Sequence, residues 1–113
     1  MSRSDRDRLL DVLDAIAAIE RHLLRGPVTD GLIFDAVRVR LIEIGEAVKD
    51  IDADLLAQQP QIPWRQVAAM RDQLAHRYFD TSHAIVEHTV TTDLAELAAA
   101  VQALLPAVAR PQD

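Results

Sequence analysis

The sequence predicts an all-α protein, a single domain folded as an antiparallel bundle of four to five helices. Apolar residues recur at steps of three and four along most of the chain, the spacing that places them on one face of a helix. Proline and glycine lie mainly between these periodic stretches, where they end helices. Half of the 113 residues are hydrophobic but only 4% are aromatic, so aliphatic side chains must fill the core, a composition that favours packed helices.

The first two helices are predicted from apolar stripes and from the residues that flank them. The first helix runs from about residue 4 to residue 24 and ends at Gly26-Pro27. The second begins after Asp30, whose carboxylate can accept hydrogen bonds from the first turn, and it ends near Lys49. The apolar positions of the first stripe are Leu9, Val12, Leu13, Ile16, Ile19, Leu23 and Leu24, and those of the second are Ile33, Val37, Leu41, Ile44 and Val48.

A loop with two prolines separates the second helix from the third. Asp52 can cap a short helical turn before this loop. Pro63 suits the first position of the third helix, which is predicted to extend from Trp64 to Tyr78. The residues predicted to form its buried face are Trp64, Val67, Ala68, Met70, Leu74 and Ala75.

The fourth helix is predicted to begin at the possible N-caps Asp80-Thr81-Ser82 and to run to about Leu105. One domain spans residues 1–113, because the chain is long enough for one core and too short for two. Residues 106–113 are expected to be a fraying tail. The short loops between the long helices predict antiparallel neighbours.

The third helix carries the residues that best indicate a function, namely Arg71, His76 and Tyr78. Arginine can hold a phosphate through two parallel hydrogen bonds, and histidine takes and gives a proton near neutral pH. His76 can therefore act as general base or acid in cleaving a phosphodiester, while Arg71 stabilises the negative charge of the transition state.

Arg71 and His76 are five residues apart, so on a straight helix they point about 140° away from each other. One straight helix cannot easily close a site around both. Either the helix unwinds at His76, or Arg71 of one subunit meets His76 of another across a two-fold axis. The second arrangement is the one we favour.

Each candidate residue also has a structural interpretation. His76 could simply stabilise the negative end of a helix dipole, and Arg71 could be held in an ion pair. Glu46, on the second helix, is the carboxylate expected to orient Arg71. Asp72 lies four residues before His76 and could hold its imidazole in one tautomer, although pairs with this spacing are common on ordinary helices. Tyr78 could be an exposed phenol or a ring packed beside its neighbours.

A glycine inside the second helix, Gly45, has a separate implication. Glycine destabilises a helix interior by roughly 1 kcal/mol relative to alanine. Its presence there indicates that another chain segment approaches closely, in a dimer or below the active site, although a tolerated glycine is the plain alternative.

Three segments of the chain resemble one known family. Residues 70–79, Met-Arg-Asp-Gln-Leu-Ala-His-Arg-Tyr-Phe, resemble the R-x4-H-x-Y signature of HepT-like toxins, a branch of the HEPN ribonuclease superfamily. Residues 44–47, Ile-Gly-Glu-Ala, resemble the G-E-A element of that family's second long helix, and residues 62–64, Ile-Pro-Trp, the I-P-W that opens its third. Because order and spacing match, the resemblance covers nearly the whole chain.

The resemblance implies an HEPN-like helical homodimer that cleaves RNA without a metal or other cofactor. It implies that the protein is the toxin of a toxin-antitoxin pair whose antitoxin is a minimal nucleotidyltransferase. Carried over residue by residue, it makes Arg71 and His76 the catalytic pair and Tyr78 the acceptor of the AMP by which the partner silences the nuclease. Arg77 stands where many relatives have a small residue, so it either contacts RNA or points to solvent.

Composition limits the alternatives. With 12 basic and 18 acidic residues the net charge is −6, which disfavours nonspecific coating of nucleic acid, so any RNA contact must be local. The absence of cysteine excludes a thiolate nucleophile and a disulfide framework. His83 and His88 are five apart, a spacing that does not suit a metal pair. Without a long apolar run or a signal-peptide pattern, a cytoplasmic protein without a membrane segment is expected.

Two other functions stay open at this point. A catalytically inactive helical adaptor could bind a nucleotidyltransferase partner through its acidic faces. A nucleotide-binding regulator is disfavoured because the sequence contains no glycine-rich phosphate loop.

Overall fold

A computed structural model describes residues 3–76 and 80–108, with the side chains of residues 80–82 excepted. Helices account for the regular structure in this part of the chain, which contains no strand, so the all-α prediction is confirmed. The elements, in order, are α1 (Asp5–Arg25), α2 (Gly31–Lys49), α3 (Ala53–Leu56), α4 (Trp64–His76), α5 (Asp80–His88), a π-helical turn (Thr89–Asp93), α6 (Leu94–Leu104) and a 3-10 turn (Leu105–Ala107).

The first two helices begin where their caps predict. Ser4 Oγ accepts a hydrogen bond from the Asp7 backbone N–H at 3.1 Å, and the Asp7 carboxylate accepts one from the Ser4 N–H at 3.4 Å. Asp30 Oδ1 accepts from the N–H groups of Leu32 and Ile33 at 2.9 and 3.3 Å. These bonds satisfy N–H groups that have no partner inside the first turn, and they confirm the predicted start of both helices.

The loop before α4 is held by Trp64, the only tryptophan of the chain. Its indole Nε1 donates to the carbonyl oxygen of Gln59 at 2.9 Å, and its ring packs half-buried against the core. This partial burial agrees with the predicted position of Trp64 on the buried face of the third helix. The bond fixes the direction in which α4 leaves the loop.

The core lies around α2, which packs against α1 on one flank and against α4 on the other, while α6 packs on α1. The largest completely buried side chains are Leu9, Val12, Ile19, Val37, Leu41, Ile44, Leu74, Val86, Val101 and Leu104. Two predicted core residues were wrong: Leu24 is 87% exposed, because it lies in the last turn of α1 beyond the neighbouring helices, and Ala75 is exposed in the last turn of α4.

The predicted fourth helix is interrupted by a π-helical turn. Thr89 and Leu94 are both buried although they are five positions apart, a spacing that would put them on different faces of an α-helix. The Leu94 N–H instead bonds the Thr89 carbonyl, the i to i+5 bond of a π-helix, which returns both residues to the core. Thr91 Oγ1 donates to the Glu87 carbonyl at 2.8 Å.

The start of this helix also differs from the prediction. Asp80, Thr81 and Ser82 were expected to supply its N-cap, but all three are already helical.

Two further structural facts concern the described residues alone. None of the helices in residues 3–76 and 80–108 has the length and apolar character of a membrane span. Over the same residues, no three His, Asp or Glu side chains are grouped so that they could share a metal ion.

Candidate active site

The site is built where α4 crosses α2 at Gly45. A Cβ atom added to this glycine would lie 2.8 Å from the backbone nitrogen of Arg71 and 3.1 Å from both the Arg71 Cβ and the Val67 carbonyl oxygen. Such distances are shorter than van der Waals contact, so only glycine permits this approach. The close approach predicted for Gly45 is therefore present, and it brings the backbone of Arg71 against α2.

Arg71 is held by two carboxylates. Its Nε donates to Glu46 Oε2 at 2.9 Å, across the crossing of the two helices, and its Nη1 donates to Asp72 Oδ1 at 2.9 Å. The contact with Glu46 is the one expected from the sequence, and it follows from the crossing because Glu46 is the neighbour of Gly45. The Arg71 side chain is 38% exposed, so it remains open to solvent and to a ligand.

These contacts leave part of the guanidinium available. Of its five N–H groups, two are used in the bonds to Glu46 and Asp72, and the others bond no other residue in the described part of the chain. A phosphate can take two parallel hydrogen bonds from such a group. Within residues 3–76 and 83–108, Arg71 is therefore oriented by two carboxylates and keeps N–H groups that can bind an anion.

Arg71 and Asp72 stabilise each other's charged forms. The hydrogen bond to Asp72, and then that to Glu46, raise the pKa of the Arg71 guanidinium above its usual value. The same contact with Arg71 lowers the pKa of the Asp72 carboxyl below its usual value. The Arg71 guanidinium thus lies between the Asp72 and Glu46 carboxylates, which fix its orientation.

Asp72 does not contact His76 as the sequence suggested. Its carboxylate bonds Arg71, the adjacent residue, and the described part of the chain shows no hydrogen bond between Asp72 and His76. The adjacent guanidinium is a permanent cation and makes a charge-assisted hydrogen bond with this carboxylate. Asp72 therefore positions Arg71 rather than the histidine.

His76 is the last residue of α4 and is exposed. The helix includes His76, so unwinding at that residue does not bring its ring toward Arg71. Along an intact helix the two residues are separated by about 7.5 Å of rise and about 140° of rotation. Arg71, Glu46 and Asp72 form one cluster, and His76 leaves the helix on another side.

Two predicted site residues, Arg77 and Tyr78, lie outside the described residues.

The structure adds a residue near the site that the sequence analysis did not single out. Arg38 of α2 is half-buried, and its Nη1 donates to the Leu74 carbonyl oxygen at 2.6 Å. The available signal was its spacing: Arg38 precedes Gly45 by seven residues, two turns of the same helix, and therefore lies on the flank that faces α4.

A second unpredicted feature is an exposed row on α2, formed by Leu32, Val39 and Glu46. These residues are seven apart and so follow one line along the helix. Leu32 is 79% exposed and Val39 is 49% exposed, although both are large and apolar. We call the two apolar residues the open face of α2. The row ends at Glu46, the partner of Arg71.

Comparison with known proteins identifies similar sequences. The family model described as Ribonuclease HepT-like matches residues 12–104. A "Probable ribonuclease HepT" of Thermococcus cleftensis is 38% identical over 101 residues, which are 86% of this chain and 92% of that protein. A "Putative RNase" of Caldanaerobacter subterraneus subsp. tengcongensis is 37% identical over 68 residues, 59% of this chain and 61% of that protein. No solved structure matches the chain.

Proposed function

The chain belongs to the ribonuclease HepT-like family, and from that premise we propose that it is a metal-independent endoribonuclease with Arg71 and His76 as its catalytic residues. The observation that carries the proposal is the Arg71 guanidinium, which is held by two carboxylates and has further N–H groups that bond no other described residue. A preorganised cation of this kind stabilises the charge that develops on a phosphate during cleavage. The names of the relatives, "Probable ribonuclease HepT" and "Putative RNase", agree with that chemistry.

The proposed reaction needs one proton acceptor and one proton donor. A neutral His76 takes the proton of a ribose 2′-hydroxyl while that oxygen forms a bond to the adjacent phosphorus. The bond from phosphorus to the 5′-oxygen breaks, and a protonated His76 donates a proton to the leaving oxygen. The products are a 2′,3′-cyclic phosphate and a 5′-hydroxyl. Both roles suit an imidazole near neutral pH, and a dimer supplies two copies of it.

A homodimer is the arrangement that joins these groups. Since Arg71 and His76 diverge along an intact α4, we propose that Arg71 of one subunit acts with His76 of its partner in a cleft at the two-fold axis. The open face of α2 supports this, because Leu32 and Val39 expose apolar surface in a row that leads to the Arg71 cluster. Exposed apolar surface continuous with a site is typical of an interface.

Charge on the open face should therefore separate the subunits. We expect the double variant Leu32→Glu and Val39→Glu to be a folded monomer with little or no RNA cleavage, because two carboxylates cannot be buried in an apolar contact without partners. Analytical ultracentrifugation gives the mass and circular dichroism the helix content. Leu24→Glu is the matched control: Leu24 is 87% exposed but lies on α1, so this variant should stay dimeric and active. A dimeric double variant would exclude the open face as the interface.

The family resemblance also supplies the proposed partner, a minimal nucleotidyltransferase acting as antitoxin. It would transfer AMP from ATP to Tyr78: the phenol oxygen bonds the α-phosphorus, pyrophosphate leaves, and a base of the partner takes the phenol proton. Unaided, a phenol with a pKa of about 10 is a weak nucleophile at neutral pH. The partner must therefore provide the activation.

Modification at Tyr78 predicts a specific mass change. Incubation with the partner and ATP should add the mass of an AMP group to the wild type, with loss of RNA cleavage, and should leave Tyr78→Phe unmodified and still active. Intact-protein mass spectrometry with peptide mapping measures both outcomes. Tyr78 is the only tyrosine, so an AMP group found on another residue, or on Tyr78→Phe, would contradict the proposed acceptor.

Cleavage of total RNA by the purified wild type, with excess chelator present, tests the main proposal. We expect cleavage to persist and to leave 2′,3′-cyclic phosphate ends. Cleavage lost on chelation and restored by a divalent metal would contradict metal independence. A wild type that carries no AMP group and still does not cut RNA would favour the inactive adaptor.

A further inference from the structure

Arg38 binds the backbone of the helix that carries His76. Its Nη1 donates to the Leu74 carbonyl oxygen at 2.6 Å, and Leu74 is two residues before His76. The bond therefore links α2 directly to the backbone of α4 near His76. A charged donor makes a stronger hydrogen bond than a neutral one, so this contact attaches the Leu74 backbone firmly to α2.

Two contacts on the same flank of α2 together fix this part of α4. Gly45 lets the backbone of Arg71 approach α2, and Arg38, seven residues earlier, holds the carbonyl of Leu74. Leu74 itself is completely buried, so its side chain is fixed as well. The turn from Arg71 to Leu74 is thereby attached at both ends. His76, whose exposed side chain bonds no other described residue, depends on that turn for its position.

We propose that Arg38 is a positioning residue for His76, acting through the Leu74 carbonyl that it binds. The inference rests on the proposed ribonuclease function, since it assigns to Arg38 the placement of the proton-transferring group. Proton transfer requires the imidazole within hydrogen-bond reach of the ribose or the leaving oxygen. A misplacement of about 1 Å can cost roughly 100-fold in rate.

The test compares Arg38→Met, Arg38→Lys and wild type in steady-state RNA cleavage. Methionine keeps an unbranched side chain but cannot donate a hydrogen bond. We expect Arg38→Met to lower kcat by roughly 10- to 100-fold with KM unchanged. Arg38→Lys should recover part of the loss, because an ammonium retains the charge and can donate to one carbonyl. If Arg38 only stabilised the fold, kcat would not fall at an unchanged KM, and lysine would not recover part of the lost kcat.

Arg40→Met is the matched control. Arg40 is on the same helix and is paired with Glu43 at 2.8 Å instead of with α4, so its replacement should leave kcat and KM as in the wild type. Equal kcat values for Arg38→Met and wild type would overturn the inference. So would a kcat loss in Arg38→Lys as large as that in Arg38→Met.

The salt dependence of KM separates positioning from RNA binding. A residue that neutralises one phosphate of a single strand contributes about 0.7 to the slope of log affinity against log salt. We expect the same slope for Arg38→Met and wild type. A slope lower by about that amount would make Arg38 an RNA contact and overturn its positioning role.

Amide hydrogen exchange distinguishes failure of this inference from failure of the proposed function. In Arg38→Met, exchange in the last turn of α4 should be faster than in the wild type, while exchange in α1 stays the same. If the wild type does not cleave RNA, the proposed function fails, and the exchange rates alone decide whether Arg38 holds the helix end. Equal rates in both proteins would overturn that attachment too.

Discussion

Replacing His76 with alanine is expected to abolish RNA cleavage while leaving the protein folded. General acid-base catalysis contributes on the order of 10²- to 10⁴-fold in rate, and in the proposed dimer both proton transfers use His76. Its side chain is exposed and bonds no other residue in the described part of the chain, so the cost in stability should lie within about 0.5 kcal/mol. Gel-based cleavage of total RNA and thermal unfolding measure the two quantities.

His88→Ala is the control for this experiment. The His88 side chain is 69% exposed, and its Nε2 lies 3.7 Å from an Asp93 carboxylate oxygen, so it resembles His76 in exposure without belonging to the site. It should cleave RNA like the wild type. Undiminished cleavage by His76→Ala would rule out His76 as the acid or base.

Mixed dimers test whether the site is shared between subunits. In a heterodimer of Arg71→Ala and His76→Ala, one wild-type Arg71 still faces one wild-type His76 if the pair comes from different subunits. Recovered cleavage would support that arrangement. If none is recovered, a heterodimer of wild type and His76→Ala decides the cause: it is inactive when both His76 copies are required, and about half-active when each chain carries its own site.

Replacing Gly45 with alanine is expected to destabilise the fold and to displace the arginine. Helix propensity alone predicts the opposite, since alanine is favoured over glycine by roughly 1 kcal/mol in a helix interior. The added Cβ, however, would lie 2.8 Å from the Arg71 backbone nitrogen, so α4 must move away from α2. Overpacking of this kind typically costs about 1–3 kcal/mol.

Thermal unfolding shows which effect is larger. We expect the melting temperature of Gly45→Ala to fall by several degrees, since about 1 kcal/mol corresponds to roughly 4–8 °C in a domain of about this size. RNA cleavage should fall as well, because Arg71 loses its place beside Glu46. Gly31→Ala is the matched control: nothing lies within 4 Å of its added Cβ, so it should be neutral or stabilising. A Gly45→Ala variant as stable as wild type would mean that α4 adjusts without cost.

Local signals were sufficient for the helix boundaries that the sequence predicted correctly. The caps at Ser4 and Asp30 act within one turn, so neighbouring residues alone determine where α1 and α2 begin. The fourth helix was harder to predict. The π-helical turn at Thr89–Asp93 exists because Thr89 and Leu94 must both face the core, a requirement that comes from the other helices.

Part of the candidate site was likewise predictable from the sequence, and part was not. The spacing of Arg71 and His76 predicts their divergence on a helix, and the interior glycine at position 45 predicts a close approach. The expected contact between Glu46 and Arg71 is present, whereas Asp72 was suggested to bond His76 and bonds Arg71. Asp72 accepts its hydrogen bond from Arg71 because the adjacent guanidinium is a permanent cation, and a charged donor makes a strong hydrogen bond to a carboxylate.

By itself, the sequence determined the helical class, the starts of α1 and α2 and the family, and it supplied the candidate residues for phosphodiester chemistry, because these depend on periodicity, caps and short motifs. Only the tertiary structure decided that Arg38 donates a hydrogen bond to the Leu74 carbonyl and that the side chains of Leu32 and Val39 are exposed on the surface of the subunit. Both facts depend on how α2 is packed between α1 and α4, and the exposure of a side chain is a property of its neighbours in space.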